Sequence, residues 1–599
     1  MDGIDRTAKA AADAARVHEA DEPRQKQAAG RADAQAPAQG GAQARTRAAA
    51  QASVQPGAQA SAPAPTDAEE RLAAQRARQL ADASAQQGSV PDDHPTPSRK
   101  RQIYAIFAGL LLAMFVSSLS ETVTATALPT IVGDLGGVDH MQWVTTAYIL
   151  AATVMMPIYG KLGDLIGRKR LLMAALTLYA AGKVVCGLAM NMEMLISGHL
   201  VSGLGGGGLI ILSQATLSDV VPPRKLGTYM GVIGAVFAVS NVLGPLKGGW
   251  FVQVTGWRWI FWFTVPVALL AVVVLGLTLP RDARALGKHP LDWPGMMAMT
   301  VAVTSLVLAM AWGGTLIPWG SLPFMGLVAL AVAAAVVFVL LERRAAEPII
   351  PMGLFRNRNF VLCSVTGLLL NISFMGALNY LPTYFQILDD LSPEVAGLVC
   401  TATSVGILIT STATGWVASK TGRYKGVLVA MCVVSTVGLF LLSRMQVHEA
   451  LWVPVLYLFV LGFGMGLGMQ LLVLVVQNEF PHAMVGTATA ANNFFRQIGS
   501  TLGASLVGAL FTSRLAADLA AQLPKTDNIS MNRITSQYVD HLAAPVRDII
   551  TAAYSDALVP IFLYVVPLLV VGFILMLTLK ENPLAKSVNH TGHPGGDAL

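Results

Sequence analysis

Four ionisable residues stand inside stretches that are otherwise apolar: Glu121, Lys183, His199 and Lys247. A charge in such a place is costly, so it must face a partner, a cavity or an interface. A carboxylate there is pulled two ways: desolvation favours its protonated form and a nearby cation favours its ionised form. That balance suits it to exchange protons near neutral pH. Glu121 is therefore the candidate coupling acid, with a structural ion pair to Lys183 or Lys247 as the alternative. His199 titrates in a useful range as well, and a hydrogen-bonded histidine wedged between helices is the competing reading. Lys247 lies in "SNVLGPLKGGWF", residues 240–251. Three placements are open to it: paired with Glu121, snorkelling to the outer interface, or facing a cavity where it would disfavour purely cationic cargo.

The elements that carry these residues are spanning helices. The chain has 599 residues, 54% hydrophobic and 13% charged, with a mean hydropathy of +0.56, which excludes an ordinary soluble domain. Apolar runs of about 18 to 25 residues recur from Ile103 onward, each long enough to cross the hydrocarbon as a helix. They lack the alternation of a membrane barrel. Starts near Ile103, Gln142, Leu171, Met194, Gly227, Trp259, Trp293, Leu322, Phe360, Pro393, Gly426, Leu451, Gly486 and Ala557 give about fourteen spans. Residues 1–100 are rich in Ala, Gln, Arg, Pro and Asp and carry no apolar core, so they read as a disordered tail. No apolar segment of a signal peptide follows the first residues.

The Lys- and Arg-bearing loops "GRKR" (167–170), "PPRK" (222–225), "RDARALGK" (281–288) and "KTGRYK" (420–425) fall on one side. The positive-inside rule makes that side, and both termini, cytoplasmic. Counting from these loops places Glu121, Lys183, His199 and Lys247 in the outer half of the membrane, where they could form one polar cluster. The net charge of +6 is explained by topology and gives no reason to expect nucleic acid. Cys186, Cys363, Cys400 and Cys432 lie in apolar segments without metal-ligand spacing, so no metal is expected. "GLGGGGL" (203–209) contains a dinucleotide-type glycine pattern, but it lies inside a span with no preceding strand, and helix contact accounts for it better. No catalytic residue, enzyme chemistry or cofactor is expected.

"GKLGDLIGRKR" (160–170) is echoed by "GWVASKTGRYK" (415–425), as parallel repeats of two six-helix halves would produce. In the first loop Gly160 and Gly167 permit a tight turn, Asp164 can face a helix N-terminus or an arginine, and Arg168 can pair with Asp219. Asp164, Arg168 and Asp219 would then form a conformational latch.

With "TATALPTIVGDL" (124–135), "LGPLKGG" (243–249), "LSPEVAGL" and "FFRQIGSTLG" in order along the chain, the sequence resembles the major facilitator superfamily in its fourteen-helix drug:proton antiporter branch. The resemblance implies an all-α membrane protein: a six-helix bundle at 101–282, a two-helix insert at 290–342, a second bundle at 355–582, and a cytoplasmic tail at 583–599. It implies proton-coupled efflux of amphipathic toxic compounds across a plasma membrane, with a small amphiphile, protons and the lipid bilayer as partners. Transport of a dedicated metabolite or an anionic or zwitterionic amphiphile is the alternative, and a transport-silent sensor a more distant one.

By the same resemblance Gly244, Pro245, Lys247, Gly248 and Gly249 form the antiporter motif on a helix that seals the two halves. Asn371, Phe374, Asn379, Met469 and Gln470 line the substrate cavity, and Arg496 matches an arginine pattern of the branch. Third helices are peripheral in this superfamily, so Lys183 is expected to snorkel. Where the branch carries an aspartate in its first helix, this chain has Ser120 with Glu121 beside it.

Overall fold

The structure, a computed structural model, describes residues 97–137, 140–280, 291–314, 316–522 and 544–584. The expected N-terminal tail up to residue 96, the connector at 281–290 and the segment from 585 lie outside the described residues, as do the side chains of 97–99, 121, 125, 393 and 544.

Helices dominate, because a chain in lipid must satisfy its backbone within each segment. The first six are α1 (Pro97–Leu135), α2 (Met141–Ile166), α3 (Arg168–Gly187), α4 (Met192–Val220), α5 (Pro223–Val254) and α6 (Arg258–Thr278). A pair follows, α7 (Trp293–Trp312) and α8 (Leu322–Glu342). The remainder are α9 (Arg358–Leu378), α10 (Leu381–Leu388), α11 (Pro393–Thr421), α12 (Lys425–Leu442), α13 (Trp452–Glu479), α14 (Val485–Gln522) and α15 (Ala544–Leu577). Side chains mark several starts: Asn191, Asp292, Asn357 and Ser392 each accept from a backbone N–H three residues on, which satisfies donors the first turn leaves orphaned. Among the described residues, fourteen segments are long and apolar enough to cross a membrane, α9 and α10 together making the ninth. The protein is a multi-pass membrane protein.

The echo in the sequence is matched by helix pairing. In the first group α3 packs on α4, α2 on α4, α1 on α5, α3 on α6 and α1 on α6. The same pairings recur as α12 on α13, α11 on α13, α9 on α14, α12 on α15 and α9 on α15. Helices α7 and α8 pair with each other, and α7 touches α2 and α14. Helix α14 continues to Gln522 and α15 begins at Ala544.

Close approach depends on glycine. A Cβ on Gly203 would lie 2.6 Å from Tyr148 O, and one on Gly205 would meet the backbone of Ala175 and Tyr179. The glycine run therefore lets α4 wedge between α2 and α3, as the helix-contact reading of "GLGGGGL" expects. The two groups of helices meet along α2–α14 and α5–α11, with α4 reaching α14 and α5 reaching α13.

Candidate functional site

At the face carrying the basic loops, α2 ends in the turn at Gly167, whose φ of 102° favours glycine. Gly160 is not part of that turn, as the sequence had suggested. It lies inside α2, where a Cβ would collide with Ala490 and lie 2.8 Å from Gly486 O of α14. Four residues on, Asp164 accepts from Gly486 N at 3.2 Å, Thr487 N at 2.7 Å and Thr487 Oγ1 at 2.9 Å. It thus caps the positive N-terminal end of α14 across the boundary between the two helix groups. Arg168 donates to the same Asp164 at 2.9 Å and to Asp219 and Ala215 O. His482 Nε2 stands 3.1 Å from Asp219, and Arg168 reaches His482 O at 3.5 Å. Asp164, Arg168 and Asp219 are therefore gathered in one cluster, with Asp164 and Arg168 only 4% and 3% exposed and Asp219 at its rim, 28% exposed. Both partners the sequence offered Asp164, a helix N-terminus and an arginine, are present. Thr487 and His482 were not singled out, and Gly486 only as the start of a span, because nothing local links them to a loop more than three hundred positions earlier.

A second seam joins α5 to α11. A Cβ on Gly415 would meet Gly227 O and lie 2.9 Å from Gly231 Cα, and one on Gly231 would lie 2.6 Å from Ser411 O. Ser411 Oγ donates to Gly231 O at 3.0 Å, Thr228 N donates to Ser419 Oγ at 2.8 Å, and Arg224 reaches Lys420 O at 3.2 Å. These partners, Gly415 to Lys420, belong to the second copy of the echoed loop. Beyond Gly234 the α5 glycines turn back to their own group: Cβ atoms on Gly244 and Gly248 would meet Thr122 and Thr126 of α1. Gly249 has open space around its Cβ position. The seam between the groups thus lies earlier on α5 than the motif of Gly244, Pro245, Lys247, Gly248 and Gly249.

Lys247 is half-buried within the first group, its Nζ 4.4 Å from the Phe263 ring centroid in a small crevice also lined by Leu119, Ser120 and Thr264. Lys183 departs from expectation. It does not snorkel but is 1% exposed, with Nζ 5.4 Å from the Tyr148 and Tyr179 ring centroids and 5.6 Å from Phe261. Helical counting on α3 alone cannot reveal that rings from α2 and α6 close over it; their quadrupoles partly offset the lost hydration. His199 shares Phe261 with it, the rings 5.5 Å apart. Its Nδ1 donates to Leu195 O at 3.0 Å and lies 3.4 Å from Cys186 Sγ. Glu121 lies on α1, its side chain outside the described residues. Tyr179 OH donates to Val116 O at 2.9 Å, tying α3 to α1 one turn before Lys183.

Between the seams runs a buried amide network. Arg496 Nη1 donates to Asn493 Oδ1 at 3.1 Å, Asn493 Nδ2 to Gln214 Oε1 at 3.0 Å, and Gln214 Nε2 to Gln470 Oε1 at 3.3 Å. Of the expected cavity residues, Gln470 sits in this network. Asn371 is buried, donating to Gly367 O at 2.8 Å and bonded by Ser500 Oγ at 3.3 Å. Phe374 is buried, Met469 half-buried and Asn379 exposed.

A family model for the Major Facilitator Superfamily matches residues 110–504. The chain belongs to the major facilitator superfamily. An uncharacterised MFS-type transporter of Mycobacterium tuberculosis is 39% identical over 80% of this chain and 70% of its own length. The multidrug transporter protein MdtP of Bacillus subtilis is 35% identical over 68% of this chain and 75% of its own. Among solved structures, the superfamily's proton:xylose symporter XylE superposes with a TM-score of 0.52 at 13% identity, covering 78% of this chain and 96% of that one, a likeness of fold alone. Superfamily membership makes this chain a transporter.

One further feature of this superfamily member was not foreseen. A cavity of about 470 Å³ lies between α7, α8 and α14, walled by Met299, Val303, Ala335, Phe338, Phe494 and Ile498 among other apolar residues. It offers no side-chain hydrogen bond, and its parts come from segments too far apart in the chain to be joined by pattern.

Proposed function

We propose that this transporter exports amphipathic toxic compounds in exchange for protons, by rocking one helix bundle against the other. The observation that carries the reading is the one-sided seam. The described inter-bundle contacts, among them Gly160 and Asp164 on α14, Gly227, Gly231 and Gly234 on α11, and Gln214 with Asn493 and Gln470, cluster toward the basic-loop end. The positive-inside rule supports reading that end, and both termini, as cytoplasmic. The arrangement then corresponds to a transporter closed toward the cytoplasm, with Asp164, Arg168 and Asp219 as a latch that must break when the bundles tilt. Such a latch shifts populations only because its contacts differ between states.

Glu121, the acid of the first helix, carries the proton, and cargo and proton compete for the occupied state. His199 is a second titratable group in the same bundle. Its proton-bearing Nδ1 is already committed to Leu195 O, which favours a helix-bridging role over a carrier's. The relatives named for multidrug transport support the cargo class.

Uptake of amphiphilic dyes into inverted vesicles, with and without an imposed pH gradient, tests this. Native protein is expected to accumulate dye only with the gradient, and Glu121→Gln to lose the gradient dependence. Undiminished gradient-driven uptake by Glu121→Gln would remove Glu121 as the coupling acid.

A further inference from the structure

Arg496 is 7% exposed at mid-helix on α14, and among the described residues it takes part in no ion pair. Its Cγ lies against Gly367 of α9, where a Cβ would come within 2.9 Å. Its Nε has no partner. A buried guanidinium without a carboxylate is an uncompensated charge, sustained only if dipoles or a ligand answer it.

The side chains it touches set a direction. A guanidinium has donors only, so Asn493 must turn its oxygen to Arg496 and its nitrogen to Gln214. Gln214 must then offer oxygen to Asn493 and nitrogen to Gln470 Oε1. The usual ambiguity of amide orientation is removed along this relay by the arginine at its head. Gln470, 4% exposed, is left with Nε2 facing no partner. Both ends of the relay therefore carry an unanswered N–H donor, Arg496 Nε and Gln470 Nε2. Two amide oxygens nearby, Gln477 Oε1 and Asn492 Oδ1, also lack partners; Gln477 is fixed by its Nε2 donating to Gln214 O at 3.3 Å, whereas Asn492, bonded to the Ser364 hydroxyl, can turn.

We propose that Arg496 and Gln470 form the head-group end of the cargo site and select amphiphiles with an anionic head, a carboxylate or sulfonate, over their neutral counterparts. This rests on the transport reading above, and it gives Arg496 a role that Lys247, held inside its own bundle by Phe263, does not fill. An oxyanion beside Arg496 answers its open Nε, and the charge-assisted bonds to Arg496 are strong where water is scarce; Gln470 Nε2 adds a neutral donor at the far end of the relay for another polar atom of the cargo.

The test uses full-length protein and one fluorescent carboxylate dye beside its neutral methyl ester. In vesicles the native protein is expected to prefer the carboxylate. Arg496→Gln should lower the carboxylate-to-ester ratio of kcat/KM by about tenfold or more, the scale of a lost charge-assisted bond. Gln470→Glu, which places a negative group at the other end, should lower the same ratio, and Arg496→Lys should retain part of it. An unchanged ratio in Arg496→Gln and Gln470→Glu overturns the proposal. If one variant does not fold, the other carries the test. If native protein moves neither dye, the transport reading fails, and binding of the two dyes to detergent-purified protein decides this inference separately. Preferential carboxylate binding that is lost in Arg496→Gln upholds it, and equal binding of acid and ester by native protein overturns it.

Discussion

Asp164 holds the first N–H groups of a helix that begins in the other bundle, and it shares its carboxylate with Arg168. Neutralising it leaves Arg168 buried with one acid fewer and α14 without its anionic cap. Breaking a buried charge pair costs about 3–5 kcal/mol, enough to repopulate an alternative arrangement. Asp164→Asn is therefore expected to expose the seam: a cysteine at Ala490, which is 0% exposed against Gly160, should react with a maleimide several-fold faster in that background. Equal labelling rates would show that the cap contributes nothing to closure. At this scale the sequence revealed which chemical groups Asp164 needs but not which residues supply them. It misplaced Lys183, because burial under Tyr148, Tyr179 and Phe261 is decided by three helices at once.

Helix α5 changes allegiance along its length, facing α11 through Gly227 and Gly231 and α1 through Gly244 and Gly248. Gly231→Leu should hold α5 and α11 apart and reduce dye transport by about tenfold or more at unchanged expression, because overpacking of a close backbone crossing has little room to relax. Gly249→Ala, in open space, should leave transport within about twofold. Equal effects of the two would deny the seam its importance. On the opposite face Asp134 ties α1 to the start of α6, accepting from Trp257 Nε1 at 2.9 Å and Arg258 at 3.1 Å. Those two donors hold its carboxyl below the ordinary 3.8. A depressed carboxylate stabilises the fold above its unfolded value and ceases to as pH falls through the folded one. Thermal unfolding of native protein should therefore lose a small increment only below about pH 3.8, and Asp134→Asn should lack that step. The helices themselves were legible from length and hydropathy, since lipid leaves few other solutions. The break at Asn379 and Tyr380 between α9 and α10 was not, because an apolar run does not disclose a local change of direction.

For the whole molecule, the recurrence of helix pairs was foreshadowed by one echoed loop, whereas the inter-bundle seams were hidden, each joining residues some two to three hundred positions apart. If the bundles part at the α5–α11 seam during each cycle, fastening them there must stop it. A Cβ at position 227 would lie 2.8 Å from Ser419 Oγ, a separation suited to a disulfide. The pair Gly227→Cys and Ser419→Cys, in a background without native cysteines, is expected to abolish dye movement when oxidised and to recover it on reduction. Undiminished movement in the oxidised form would mean the bundles do not separate at this seam.

A clasp that grips near one end behaves as a fulcrum. With the near ends of α2, α5, α11 and α14 pinned, a tilt of roughly 10° spreads the far ends of helices spanning some 30 Å by about 5 Å. While the clasp holds, such leverage would set how far the opposite mouth can widen, and opening toward the basic-loop face would still require the clasp itself to part.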